Sequence, residues 1–507
     1  MYNVMKQNAL SGILKMLISL SLLLMIACDD DDDTTPIVKP DIIFYGITSA
    51  NQLIQYNGNA SETPIATVSL TGLQSGETIL AIDFRPATGQ LYGLGSTSRI
   101  YSIQLNSGIG TAIGAGPFSP AIDGAIVGFD FNPTVDRIRL VTANGQNLRL
   151  NPETGAVAAT DAGLNPGTPD IAGVAYTNSF AGAASTTLFD IDIASQNLFK
   201  QDPPNDGVLV EIGPLGVTAT MDGGFDISPD NEVALASLTV NGTNGLYQID
   251  LTTGKATPLG TLSSTIVGLA IPTNPVAYSI DGSSNLLIFN FMGTEPAVAK
   301  PVTGLQTSES ILGIDMRPAT GQLYALGSSS RIYTLNMASG VATVVGTAAF
   351  APLLSGTTFG FDFNPTVDRI RIVSDVGQNL RLHPVTGVVA FMDTDLNPGT
   401  PAVSAAAYNS NVAGAMATTL FDIDPSADKL YKQLPPNEGK LEEVGSLGIN
   451  AEANASFDIG GESNMGYALL TVGSTTKIYS VNLGTGVVTA IADAPSGSKG
   501  LAIGLGF

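Results

Sequence analysis

The chain of 507 residues carries 44 acidic against 21 basic residues, with one histidine, one cysteine and no tryptophan, for a formal net charge of −23. This balance excludes nucleic acid as a partner, since phosphate neutralisation needs basic clusters, and the lone cysteine and histidine exclude an internal disulfide and a two-histidine metal site. Hydrophobic content of 44% together with 57 glycines and 29 prolines points to a globular, turn-rich β protein of more than one unit.

Lys6 and Lys15 flank the start of the chain, and Met16 to Ala27 form an apolar run of signal-peptide length, too short for a comfortable membrane span. The run ends in Met25-Ile26-Ala27-Cys28, which resembles a bacterial lipobox with Met where Leu is usual. Residues 1–27 therefore read as a lipoprotein signal peptide and Cys28 as the lipidated residue, so that acyl chains and not a protein segment attach the molecule to the membrane. Asp29, Asp30, Asp31, Asp32 and Asp33 follow directly. A run of like charge repels itself and stays solvated, which makes residues 28–40 an acidic tether. The run also resembles the surface-export signal of Bacteroidetes lipoproteins, which implies an outer-membrane protein exposed at the cell surface.

Beyond the tether the chain is a tandem duplication. Ile79 to Tyr101 (ILAIDFRPATGQLYGLGSTSRIY) matches Ile311 to Tyr333 (ILGIDMRPATGQLYALGSSSRIY), and the offset of 232 persists to Gly268/Gly500 without an insertion. From Phe129 to Gly155 against Phe361 to Gly387, 21 of 27 positions are identical, so this part has drifted least. Each copy holds a shorter repeat. AIDFRPATGQLYGLGSTSRIYSIQLNSGIGTAIG reads as four strands separated by turns, and the same grammar recurs from GFDFNPTVDRIR, from VAYTNSF and from GFDISPDNEV. No stretch after the signal shows a helical period.

Units of about 45 residues with four strands each are the signature of β-propeller blades. Four such units and an incomplete one, FYGITSANQLIQYNGNASETPIATVSL, fill each copy. The incomplete unit lacks its innermost strand, and Val267 to Ile271 is spare at the other end of the copy. Joining them closes a ring, and GLAIGLGF does the same for the second copy. The expectation is an all-β chain of two five-bladed propellers, residues 41–272 and 273–507. One ten-bladed ring is the alternative, with Val267 to Ile271 running on into AYSI.

The phrases FDFNPTVDRIR, GQNLRL, NPGTP, AGVAYTNSFAGAASTTLFDID and QDPPNDG of the first copy, and their counterparts in the second, resemble the bacterial domain-of-unknown-function family 4394 from about Asp41 to Phe507. The resemblance implies the domain division and brings no activity, substrate or catalytic residue with it. IDFRPATGQLY is also similar to blade motifs of sugar-lactonase-like and low-density-lipoprotein-receptor-like propellers, a similarity of fold only.

All ten arginines fall into five pairs at the 232 offset, whereas among lysines only Lys200/Lys432 do. Arginine therefore sits where a planar, bidentate cation is needed. Arg137 and Arg139 share one strand face, with Asp130 on the preceding strand and Asp136 in the turn as candidate partners. Asp130, Asp136, Arg137, Arg139 and Arg149, with Asp362, Asp368, Arg369, Arg371 and Arg381 in the second copy, are the candidate set. They either pin blade on blade or line a funnel that binds an acidic or hydroxyl-rich ligand, and the first role is the expected one. His383 stands where the first copy has Asn151 and reads as a turn residue. DTDLNPG at Asp393 spaces oxygen ligands like a calcium loop but lacks the EF-hand glycine, so no cofactor is expected and calcium there is a weak candidate. Asp190/Asp192 and Asp422/Asp424 each put two carboxylates on one strand face, a spacing that acid–base hydrolysis could use. No residue is expected to be catalytic and no oligomeric state is signalled. The expected function is binding of a glycan or protein ligand at the cell surface without chemistry. A glycan-active hydrolase or lyase, or a structural adhesin component, is the alternative.

Overall fold

The computed structural model describes residues 38–124, 127–220 and 223–507. Cys28 and the aspartates 29–33 lie outside them. Pro40–Phe507 forms one compact unit, made of ten four-stranded antiparallel sheets.

Each sheet is a propeller blade, and the pairing at the ends of each copy decides how the rings close. Gly268–Ala270, at the end of the first copy, pairs with Ile43–Ile47 at its beginning and becomes the innermost strand of blade 1. Lys499–Ile503 pairs with Ala277–Ile280 and completes blade 6 in the same way. In the first propeller the innermost strands of blades 2 to 5 are Ile79–Phe84, Val127–Asn132, Ile171–Tyr176 and Phe225–Ile227. In the second, those of blades 7 to 10 are Ile311–Arg317, Phe359–Asn364, Ala405–Tyr408 and Ser456–Ile459. Within each copy, every innermost strand neighbours the next and the last returns to the first. The molecule is therefore two five-bladed propellers, and the ten-bladed closure does not occur: the strand that would have continued into AYSI pairs back onto Ile43–Ile47 instead.

Blades stack face to face, so the inner strands of a blade are buried on both sides, whereas outermost strands such as Ala66–Ser69 and Val157–Thr160 are largely open to solvent. In Arg137–Thr142, Ile138 and Leu140 join the core between blades 2 and 3, and Val141 joins that between blades 3 and 4. Every seam of the first propeller has its own apolar cluster, and so has every seam of the second. At roughly 1.5–3 kcal/mol for each fully buried aliphatic or aromatic side chain, these seams are the main cohesive term. The seam between blades 6 and 7 also takes in Ala87 of the first propeller, together with Leu505 and Phe507 from the end of the chain. The two rings thus share one core there. Gly506 N–H donates to Thr88 O (2.9 Å) and Tyr278 Oη to Ala87 O (2.8 Å), which fixes that contact in register.

Candidate functional site

The repeated hairpin FNPTVDRIR explains its own composition. Asn132 Oδ1 accepts from Thr134 N–H (3.0 Å) and from its hydroxyl (2.7 Å), closing the turn. Asp136 ends it at φ 51°, a left-handed conformation that Asp tolerates better than most residues. That conformation delivers the Asp136 carboxylate to the neighbouring blade, where Arg85 grips both oxygens, the Nε bond being 2.8 Å long. Asp368 (φ 50°) and Arg317 repeat this in the second copy.

Arg139 points the other way, towards blade 4. Its guanidinium donates to Asn147 Oδ1 (2.6 Å), Asp161 Oδ2 (2.7 Å), Asn205 Oδ1 (2.8 Å) and the Tyr176 hydroxyl (3.3 Å). Arg149 holds Asp161 in a two-pronged pair at 2.8 Å for each bond. Burial works to raise the Asp161 pKa, and Arg149 and Arg139 outweigh it, so that the group is held below the usual carboxylate range. In the second copy Arg371 contacts Asn379, Asp393, Asn437 and Tyr408, and Arg381 pairs with Asp393 while its guanidinium lies 4.1 Å from the centroid of the Phe391 ring. Three phrases of the repeat, DRIR, GQNLRL and PPND, are therefore parts of a single clamp between the third and fourth blades of each ring. Arg137 and Arg369 stand apart from it, each donating to the carbonyl of the aspartate before it (2.7 and 2.8 Å).

The pairing inferred from proximity in sequence does not form. Asp136 serves Arg85, and Asp130 and Asp362 turn to the propeller axis, even though Asp130 lies opposite Arg139 in the ladder. Asp393, the first residue of DTDLNPG, has its carboxylate paired with Arg371 and Arg381. His383 Nδ1 accepts from Val385 N–H (3.2 Å) as a turn residue. In FDID, Asp192 caps its own turn through Ala194 N–H, Ser195 N–H and the Ser195 hydroxyl. Asp190 is buried with neither oxygen hydrogen-bonded. Burial pushes its pKa well up, Arg139 opposing and Asp192 adding to the rise. Asp422, its counterpart, is pushed up to about 8 by burial against the opposing charge of Arg371. The two carboxylates of each FDID do not converge on a cleft.

What does converge is two trios of aspartates, of which only Asp130 and Asp362 were candidates from the sequence, and those as arginine partners. Asp83, Asp130 and Asp226 meet on the axis of the first propeller and Asp315, Asp362 and Asp458 on that of the second, in each case with one oxygen from each within 4.8 Å of the others. Each spans to the next innermost strand. Asp83 accepts from Phe131 N–H (2.7 Å), Asp130 from Tyr176 N–H (3.1 Å) and Asp226 from Ile271 N–H (2.6 Å). Asp315, Asp362 and Asp458 do the same with Phe363, Tyr408 and Ile503. These N–H groups lie on the open edge of an innermost strand and need an acceptor. Burial drives all six pKa values up, those of Asp226 and Asp458 to about 7. The signal was present as an Asp between two apolar residues, in IDF, FDF and FDI of the first copy and IDM, FDF and FDI of the second, at the same place in three units of each.

Above the second trio the axis opens. Gly313, Gly360, Ala406 and Gly500 line a neck of about 20 Å³, and beyond it, where the innermost strands of all five blades begin, lies a funnel of about 380 Å³. Its wall carries hydroxyl and amide groups from several blades, among them Thr357, Thr358, Ser404, Asn454, Ser456 and Ser498, with Lys499 at the rim.

The family model for "Domain of unknown function (DUF4394)" matches residues 52–270 and again 285–503. The chain belongs to this family, in two copies. No curated protein matches it. Among solved structures, the extracellular domain of a protein of B. thetaiotaomicron assigned as a one-component system is 11% identical with a TM-score of 0.26, over 90% of this chain and 66% of that one. A second structure, assigned there as a hybrid two-component system, has the same identity and TM-score, over 90% of this chain and 65% of that one. Likeness at that level carries no inference about a ligand. For this DUF4394 chain, none of the helices among the described residues is long and apolar enough to cross a membrane.

Proposed function

We propose that the protein is a non-catalytic binding module that takes a hydroxyl-rich ligand, a glycan, into the funnel of its second propeller, and that Cys28 tethers it by acyl chains to the outside of the outer membrane. The observation that carries the binding reading is the way the two copies differ. They share the arginine clamps and the axial aspartates, yet Thr358, Ser404, Ser456, Ser498 and Lys499 of the funnel stand where the first copy has Ile126, Ala172, Gly224, Ile266 and Val267. At these five positions the polar side chains belong to the second copy alone. Ser, Thr and Asn both donate and accept, which suits sugar hydroxyls, and the volume falls in the range of small-ligand sites. Leu312, Phe359 and Leu469 add apolar wall for a sugar face, in a chain that has no tryptophan.

The hydrolase reading needs carboxylates that flank a glycosidic bond. The axial aspartates do converge, but beneath the neck and with most of their oxygens directed to backbone N–H groups, so a sugar in the funnel does not reach them. A screen of the full chain against a glycan array and soluble polysaccharides tests the binding reading, with Asn454→Trp, at an exposed rim position, as the blocked control. Capture by the parent that the folded variant loses by tenfold or more is the expected result. Equal capture by both moves binding off the funnel, and release of reducing ends restores the hydrolase.

A further inference from the structure

Three carboxylates between the blades have a guanidinium against them: Arg85 lies on Asp136, Arg139 and Arg149 on Asp161, and Arg371 and Arg381 on Asp393. The axial trios have none. Asp315 accepts from Met316 and Phe363 N–H, one on each oxygen, and Asp458 from Ile459 and Ile503 N–H in the same way, all at 2.6–2.7 Å. Acceptance on both oxygens suits the ionised form. Asp362 gives Oδ1 to Tyr408 N–H (2.9 Å) and leaves Oδ2 fully buried without a hydrogen-bond partner. Asp422, beside it in the seam between blades 8 and 9, has both oxygens buried and unpartnered, and its charge bears on Asp362. Several buried acids around one point, with no basic side chain to offset them, are costly unless a positive charge sits among them.

We propose that Asp315, Asp362 and Asp458 hold a hard divalent cation, calcium by preference, on the axis of the second propeller, with Asp362 Oδ2 as the ligand oxygen that has no other partner, and that Asp83, Asp130 and Asp226 form the matching site in the first. All donors in the two trios are carboxylate oxygens, with neither histidine nor cysteine among them, which disfavours zinc and copper. Oxygens bound to one calcium ion lie within about 4.8 Å of one another, and one oxygen from each aspartate of either trio comes within that distance of the other two. A narrow axis leaves little space for the waters that magnesium retains. Each carboxylate oxygen has two lone pairs, so Asp315 and Asp458 can keep their N–H bonds while they bind the ion. The cation does on the axis what arginine does between the blades: it ties three blades of a ring together. This inference goes beyond the funnel reading and stands without it.

Native mass spectrometry of the full chain, stripped with EDTA and returned to calcium at about 1 mM, tests it. Two ions per chain are expected. Asp362→Asn keeps an oxygen for Tyr408 N–H and should retain one ion, and Asp130→Asn/Asp362→Asn should retain none. A parent that binds no ion, or a folded double variant that still binds two, overturns the proposal. Should the double variant not fold, crystals of the parent soaked in a lanthanide salt decide the matter. Anomalous peaks among the six aspartates support the sites, and peaks only elsewhere refute them.

Discussion

The two propellers share a scaffold and differ in what surrounds it, and the pair Arg85–Asp136 against Arg317–Asp368 shows this at one spot. In the first copy the side chains are 0% and 7% exposed, in the second 13% and 35%. The difference comes from the other ring. Arg85 Nη1 donates to Gly321 O (3.1 Å) of the second propeller, and Glu153, which stands where the second copy has Val385, accepts from Gln322 Nε2 (3.0 Å). The same hairpin is thus an interface element in one copy and a surface feature in the other. A repeated motif does not need a repeated role.

Changes at the clamps should cost most and should not distinguish the copies. Arg139→Ala and Arg371→Ala are each expected to cost about 3–5 kcal/mol, since Asp161 or Asp393 is left buried with less of its counter-charge. Urea unfolding measures this, and a large difference between the two would break the equivalence of the rings. Next, Asp136→Asn should cost about 3 kcal/mol, because Arg85 loses a partner inside the interface. Asp368→Asn should cost less than about 1 kcal/mol, as solvent screens the half-open pair. Equal losses would mean that the second ring does not cover Arg85.

Asp190→Asn should act in the opposite direction and depend on pH. A carboxyl whose pKa is raised by folding binds its proton more tightly in the native state, so its penalty is absent below pH 4 and grows as pH rises towards the folded value. The variant should match the parent near pH 4 and exceed it by roughly 1–3 kcal/mol at pH 8, read as thermal midpoints. A variant less stable at pH 8 would mean that Arg139 holds the ionised form. Smallest of all, Glu153→Val, which copies the second ring, should cost about 0.5 kcal/mol, through the bond to Gln322 of the other ring and the longer one to Arg85 (3.3 Å).

Much of the fold was legible before any coordinates. The 232-residue offset, the four-strand grammar and the spare strand at Val267 to Ile271 together specify the blades and favour two five-bladed rings, while the ten-bladed closure stayed open until the pairing of Gly268–Ala270 with Ile43–Ile47 decided it. The arginine clamps were half legible. Pairing at the offset marked arginine as structural, but partners were sought among neighbours in sequence, Asp130 and Asp136, whereas blade stacking brings in Asp161 and Asn205 from later turns. Of the axial aspartates, Asp130 and Asp362 were candidates only as arginine partners, and Asp83, Asp226, Asp315 and Asp458 were missed because each looks like an ordinary strand residue on its own. Only the ring brings three of them to one point. The funnel escaped notice for a related reason, since no one blade makes it, although Ser498-Lys499 against Ile266-Val267 already set the copies apart.

One titration bears most directly on the claim that the arginines are scaffold and the second mouth is the binding end. A glycan captured by the parent would be titrated calorimetrically into Asn454→Trp and into Arg137→Lys/Arg369→Lys, each checked for folding. Loss of heat with the funnel variant and parental affinity with the arginine variant is the predicted outcome. Parental affinity in the funnel variant, with loss in the arginine variant, would contradict it and move the site to FNPTVDRIR.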